Sequence, residues 1–181
     1  LNPAVDRALL DRQHDLGGRL LLVANLPYQV ASPLIVDLLT GRVRADRLCV
    51  TVQAEVADRL QAPPGGKDYG PLTILTQAVA DVHRVARVPP EAFWPSPDVD
   101  SAILSITPRP DADLTPPILK KLAELVHGCF NYRRKTLKWS LRNMLDDQAL
   151  ARVEDDARWD LALRPENLSV HHWLDLAHLL A

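Results

Sequence analysis

Asn25-Leu26-Pro27-Tyr28 directly follows the apolar run Leu20-Leu21-Leu22-Val23-Ala24, which reads as a buried strand. Residues at the carboxyl end of such a strand in an open α/β sheet stand where ligands bind. A heteroaryl amine is a poor nucleophile, because its lone pair is delocalised into the ring. A protein that works through such an amine needs acceptors that hold its N–H groups and localise that pair. The Asn25 side chain supplies one acceptor, and the Leu26 carbonyl, stiffened by the proline after it, supplies a second. Tyr28 then offers a face to a planar ring. The tetrapeptide alone equally suits an ordinary Asn-Pro-type turn with its tyrosine packed into the core, so both readings stand at this point.

A second motif narrows the choice. Phe93-Trp94-Pro95-Ser96-Pro97-Asp98-Val99-Asp100-Ser101 is an aromatic and proline loop, stiff enough to hold a ring still. Phe93 is the candidate for a wall opposite Tyr28, the two clamping a flipped-out base. The alternative is a hydrophobic plug whose prolines end a helix.

The third feature is charge. The chain carries 21 Lys and Arg against 23 Asp and Glu, a net charge of -2, so no global positive field attracts nucleic acid. The excess is local: residues 118–142 hold 7 basic and 1 acidic side chains, whereas residues 143–181 hold 3 and 8. Within the basic segment Arg133, Arg134, Lys135, Lys138 and Arg142 are the candidate phosphate contacts. Read as one helix, it places Lys135, Lys138 and Arg142 on one face and Leu137, Leu141 and Leu145 on the other. A solvated helix face has the same pattern. The six histidines show no metal-ligand spacing, and adjacent His171 and His172 read as surface residues; no metal is assigned. Cys49 and Cys129 are too few for a disulfide scaffold and suit small buried hydrophobes, which fits a reducing cytoplasm.

These residues need a scaffold, and the patterning supplies it. From Arg19 to Thr107 short apolar runs alternate with helical stretches, the signature of a mostly parallel sheet covered by helices. Strands are expected at residues 20–24, 48–53, 82–88 and 99–106, the first two buried and the last two nearer an edge. Helices are expected at residues 33–39, 54–60 and 72–80, and Pro63-Pro64-Gly65-Gly66 must be a loop. The polar segment Arg109-Pro110-Asp111-Ala112-Asp113 marks a domain boundary, after which the strand pattern stops. Thr115-Pro116 starts a helix with Leu122, Leu125, Val126, Cys129 and Phe130 as its apolar stripe. The final helix starts from Ser169 and carries Trp173, Leu176, Ala177 and Leu180. No apolar run approaches the length that crosses a bilayer, and no leader peptide is recognisable.

On these motifs the chain resembles the ribosomal RNA adenine N6-dimethyltransferases of the small-subunit (KsgA) type. The carriers are Asn25-Leu26-Pro27-Tyr28, residues 53–60, Tyr69-Gly70, the loop of residues 93–101, Arg133-Arg134-Lys135-Thr136-Leu137, and Leu163-Arg164-Pro165-Glu166-Asn167-Leu168-Ser169. Leu26 favours the RNA branch, since DNA and glutamine methyltransferases place proline there. The resemblance implies an α/β fold: the C-terminal part of a Rossmann-like S-adenosylmethionine-dependent methyltransferase sheet, followed by a small all-helical domain. It divides the chain into a partial catalytic domain, residues 1–108, and a helical rRNA-binding domain, residues 109–181. It implies methyl transfer from S-adenosylmethionine to the amines of two adjacent adenosines near the 3' end of small-subunit rRNA. Asn25 and the Leu26 carbonyl would hold the amine, Pro27 would stiffen the turn, and Tyr28 and Phe93 would clamp the ring. Asn25 would also meet the cofactor, and the basic segment would contact rRNA. The implied partner is the small ribosomal subunit precursor in the cytoplasm, engaged by a monomer without a membrane.

Two departures qualify that picture. Gln29 stands where the family commonly has Asn or a similar residue. No G-x-G-x-x-G can be written from the seven glycines, and the family's acidic residues for the cofactor ribose and adenine have no counterpart. The chain therefore reads as lacking an upstream portion that holds half of the cofactor pocket. Two other functions fit the same features: a non-catalytic RNA-binding or ribosome-assembly factor, and methylation of another amine, in DNA or a glutamine side chain. The basic helical part argues against the second.

Overall fold

The structure is a computed structural model that describes residues 19–27, 30–41, 43–109 and 114–181. Tyr28 and Gln29, and the residues before Arg19, lie outside the described residues. The chain divides into two compact units, one containing residues up to Gln61 together with Val79–Ala112, the other Ala62–Ala78 and Asp113–Ala181.

In the first unit β1 (Leu21–Asn25) is followed by α1 (Ala31–Thr40), β2 (Arg47–Gln53), α2 (Ala54–Leu60), β3 (Ala80–Val88) and β4 (Ser101–Pro108). The strands form one sheet in the order β1-β2-β4-β3. β1 and β2 run parallel, and β4 runs antiparallel to both β2 and β3. The sheet is therefore mixed: β1, β2 and β3 run in one direction, as the alternation implies, and among the described strands β4 alone runs against them. The reason is the connection into β4. A crossover helix leads from β1 to β2, but only a short turn and the aromatic loop separate β3 from β4, so the chain doubles back antiparallel.

β4 lies inside the sheet, not near an edge. Ala102, Leu104 and Ile106 are buried, and the intervening Ile103 and Ser105 fall on the opposite face. β3 does lie at an edge, with a bulge between Arg84 and Ala86 that leaves Val85 62% exposed. β1 carries as apolar a sequence as β2, yet Val23 is 80% exposed, because among the described residues β1 is paired on one side alone. β2 is the core strand: Leu48, Val50 and Val52 are fully buried, each burial stabilising the fold by roughly 1.5–3 kcal/mol. The start of β1 is pinned by Asp46, whose carboxylate accepts from the Leu20 amide at 2.6 Å while its own amide donates to the Leu20 carbonyl at 2.8 Å.

The second unit is helical: most of α3 (Pro71–Val79), then α4 (Pro116–Phe130), α5 (Leu137–Arg142), α6 (Asp147–Glu154) and α7 (Val170–Leu180). The sequence pattern alone groups residues 62–78 with the strands; by compactness they belong with the C-terminal helices. The packing explains this. Buried Tyr69 stacks in a tilted chain with Phe130 and Trp173, at centroid distances of 6.4 and 6.1 Å, and its hydroxyl donates to the Leu168 carbonyl at 2.8 Å. Gly65, at φ +83°, turns the chain so that its amide donates to the Glu166 carbonyl at 2.7 Å, a conformation glycine takes without strain. Ser169 caps α7 by a capping box with His172, satisfying amides at that end.

Candidate functional site

Strand pairing positions the tetrapeptide. Asn25 ends β1 opposite Thr51, and the Leu26 amide donates to the Thr51 carbonyl at 3.1 Å. Leu26 is buried, and the Pro27 carbonyl accepts from Val30 at 3.1 Å, closing the turn into α1. Among the described residues neither the Asn25 carboxamide nor the Leu26 carbonyl finds a hydrogen-bond partner, so both acceptors are left to an incoming donor. The loop between β3 and β4 is equally fixed. The Phe93 amide and the Ser96 hydroxyl both donate to the Pro90 carbonyl, at 3.1 and 2.9 Å, and Trp94-Pro95 is a cis peptide.

Residues 25–27 and residues 93–97 together line a cleft of about 440 Å³. The structure thus brings Asn25, Leu26, Pro27 and Phe93 to one place, with no charged side chain among the described residues of its walls. A cleft lined by an amide side chain, a strand-end residue with a free carbonyl and an aromatic ring can hold a flat, amine-bearing ring. A second cleft of about 560 Å³ includes Glu55, Asp98 and Asp100. Two of those carboxylates are already engaged, Glu55 by Arg59 and Asp100 by Arg87, and a cleft of that sign repels phosphate.

The basic segment is arranged differently from a single helix. Residues 131–135 form turns and α5 begins at Leu137, because Thr136 is its N-cap and accepts from the Trp139 amide at 3.3 Å. An N-cap has non-helical backbone, so Lys135 precedes the helix and does not share a helical face with Lys138 and Arg142. Its ammonium lies 5.5 Å from the centre of the Trp139 ring. Arg133 turns inward: Nε meets Glu166 at 2.7 Å, and its two Nη atoms donate to the carbonyls of Lys67 and Gly66 at 2.8 and 2.9 Å. Lys138 and Arg142 reach Glu154 at 3.0 and 3.8 Å. Arg134 is exposed. Nothing in the sequence marks Glu154 and Glu166 as partners, since no local signal reports a contact as far as 33 residues away. Trp94 stands beside Phe93 in the sequence, but the motif alone gives it no role.

This sheet order with its helices, and its likeness to known enzymes, define a Rossmann-like methyltransferase fold. The family model for ribosomal RNA adenine dimethylase matches residues 5–181. The chain is 36% identical over 180 residues to the ribosomal RNA small subunit methyltransferase A of Lachnoclostridium phytofermentans, covering 97% of this chain and 62% of that protein. It is 40% identical over 162 residues to the enzyme of that name from Levilactobacillus brevis, covering 87% of this chain and 55% of the relative. A dimethyladenosine transferase structure from Plasmodium falciparum superposes with a TM-score of 0.73 at 27% identity, covering 87% of this chain and 65% of that one. The chain belongs to the ribosomal RNA adenine dimethylase family. It spans about three-fifths of the length of the curated relatives it matches.

Proposed function

We propose that the chain acts in the transfer of methyl groups to the N6 amines of two adjacent adenosines near the 3' end of small-subunit rRNA. The observation that carries this reading is the cleft that Asn25 and Leu26, whose carboxamide and carbonyl have no partner among the described residues, line together with Phe93. The adenine amine donates one hydrogen bond to each acceptor, which favours a pyramidal nitrogen whose lone pair is localised and no longer delocalised into the ring. Pro27 holds the turn rigid, and Phe93 fixes the ring, a task the family pattern shares with Tyr28. Positioning of this kind accounts for much of the rate enhancement in a displacement reaction. S-adenosylmethionine would supply the electrophilic methyl there, and an uncharged cleft with an open amide at a strand's carboxyl end fits the cofactor's approach beside Asn25. The nitrogen loses its proton to water once alkylated, so no general base is assigned.

Arg134, Lys135, Lys138 and Arg142 are the residues of the basic segment offered to rRNA phosphates, with Arg133 supporting them from inside. The partner is the precursor of the small ribosomal subunit, met in the cytoplasm by a monomer. Among the described residues no helix is long and apolar enough to cross a membrane. The test is mass spectrometry of small-subunit rRNA nucleosides from cells whose genomic copy carries Asn25→Ala. N6,N6-dimethyladenosine should vanish while the protein persists; its survival at full level would overturn the reading.

A further inference from the structure

The loop that carries Phe93 presents a second ring. Trp94 is 98% exposed, so the whole indole stands in water although it is among the largest apolar groups in the chain. Phe93 has extended backbone (φ -118°, ψ 153°), and consecutive side chains of extended chain project to opposite sides. Both residues border the cleft whose other wall is residues 25–27. The support is stiff: Pro95 and Pro97 fix their own φ, and the Pro90 carbonyl holds both the Phe93 amide and the Ser96 hydroxyl. A ring presented on a fixed loop loses little freedom when something stacks on it. At about 440 Å³ the cleft has room for more than one planar ring.

We propose that Trp94 is a stacking platform for the nucleobase next to the one held at Asn25, so that this cleft grips two neighbouring bases of an unpaired RNA strand. This rests on the RNA amine reading of the cleft. The occupant follows from continuity, since a strand that delivers one base to Asn25 carries the next base past the rim where the indole lies. Every base has a π-face, so the platform selects for an unpaired neighbour and not for its identity.

The test is a double cycle in the complete reading frame, with wild type, Trp94→Ala and Trp94→Phe against RNA oligonucleotides. Each base flanking the target adenosine is replaced in turn by an abasic ribonucleotide. Affinity and methyl transfer are measured separately. Aromatic stacking corresponds to a change of about five- to 150-fold per base. Removing one flanking base should weaken wild-type binding by at least about fivefold. Trp94→Ala should show that loss already on the intact RNA and lose nothing more on the abasic one, while Trp94→Phe keeps most of the affinity. Because the indole packs against nothing, Trp94→Ala should leave the melting temperature unchanged. Equal sensitivity of wild type and Trp94→Ala to the abasic positions would overturn the proposal, whatever happens to transfer. Coupling in binding with no methyl transfer by wild type would instead overturn the transfer reading and leave the platform standing.

Discussion

Replacing Arg133 should damage the fold of the helical unit before it touches RNA. Its guanidinium makes three hydrogen bonds, one to the Glu166 carboxylate and two to the carbonyls of Gly66 and Lys67. Side-chain exposure is 36% for Arg133 and 20% for Glu166, so each bond lies between the surface and buried cases. Taking about 1 kcal/mol for each, the typical net value of a protein hydrogen bond and the high end for exposed pairs, Arg133→Met should cost about 3 kcal/mol. Methionine keeps the apolar stem and removes the charge. At about 2–4 °C per kcal/mol for a chain of this size, the melting temperature should fall by about 6–12 °C. Glu166→Gln should cost less, because the carbonyl bonds survive, and the double variant should show a coupling of about 1 kcal/mol. Urea unfolding of the four proteins at one pH and salt concentration measures this, with RNA affinity of the folded proteins measured alongside Arg134→Ala. An unchanged urea midpoint for Arg133→Met, joined to an RNA defect equal to that of Arg134→Ala, would refute the assignment of Arg133 to the interior.

Two further outcomes concern the same unit. Glu154 holds both Lys138 and Arg142, so Glu154→Gln should tighten RNA binding and steepen its salt dependence by about 0.7 in log–log slope for each additional phosphate neutralised; an unchanged slope would mean that neither cation reaches a phosphate. Burial pushes the Cys129 thiol up to about 12, against a smaller opposing pull from the Ser140 hydroxyl. The unfolded thiol ionises near its ordinary 9.0 while the native one stays neutral, so its contribution is complete below about pH 9 and falls as pH rises toward 12. Between those values the wild type should lose up to about 1.4 kcal/mol per pH unit more than Cys129→Ala, a difference that urea midpoints from about pH 8 to about pH 10.5 would reveal or exclude.

Much of this architecture is legible in the sequence because its causes are local. The apolar run of residues 48–53, the Thr115-Pro116 start, the Ser169 cap and the stripe Trp173, Leu176, Ala177 and Leu180 each follow from side chains within a turn or a strand of one another. The cleft residues Asn25, Leu26, Pro27 and Phe93 are legible for a related reason: turn chemistry after an apolar strand and a proline-stiffened aromatic loop are short-range signals. The place of β4 between β2 and β3 is not, since an antiparallel insertion is decided by which strands meet in space. Nor is the grouping of residues 62–78 with the C-terminal helices, which depends on Tyr69 reaching Leu168, 99 residues on. The Thr136 cap is a different case. Its type and position before an apolar run are a helix-start signal, and treating the basic residues as one continuous helix passes over it.

The basic segment shows why a local charge count overstates an interface. Residues 118–142 carry 7 basic side chains, but most are committed within the unit. Lys120 and Lys121 approach Glu124 at 3.9 and 3.1 Å, Arg133 is held by Glu166, and Lys138 and Arg142 share Glu154. Exposed pairs hold weakly and yield to a better partner, so Lys138 and Arg142 stay within reach of a phosphate that can displace Glu154. Arg133 does not, because moving it strands the Glu166 carboxylate and the Lys67 carbonyl together and leaves the Gly66 carbonyl to the Tyr69 amide alone. Among the described residues Arg134 has no ion-pair partner, and Lys135 keeps its charge over Trp139. On the proposed reading, the first phosphates to dock would therefore meet Arg134 and Lys135, ahead of α5, and the cations of that helix would join only as Glu154 lets go.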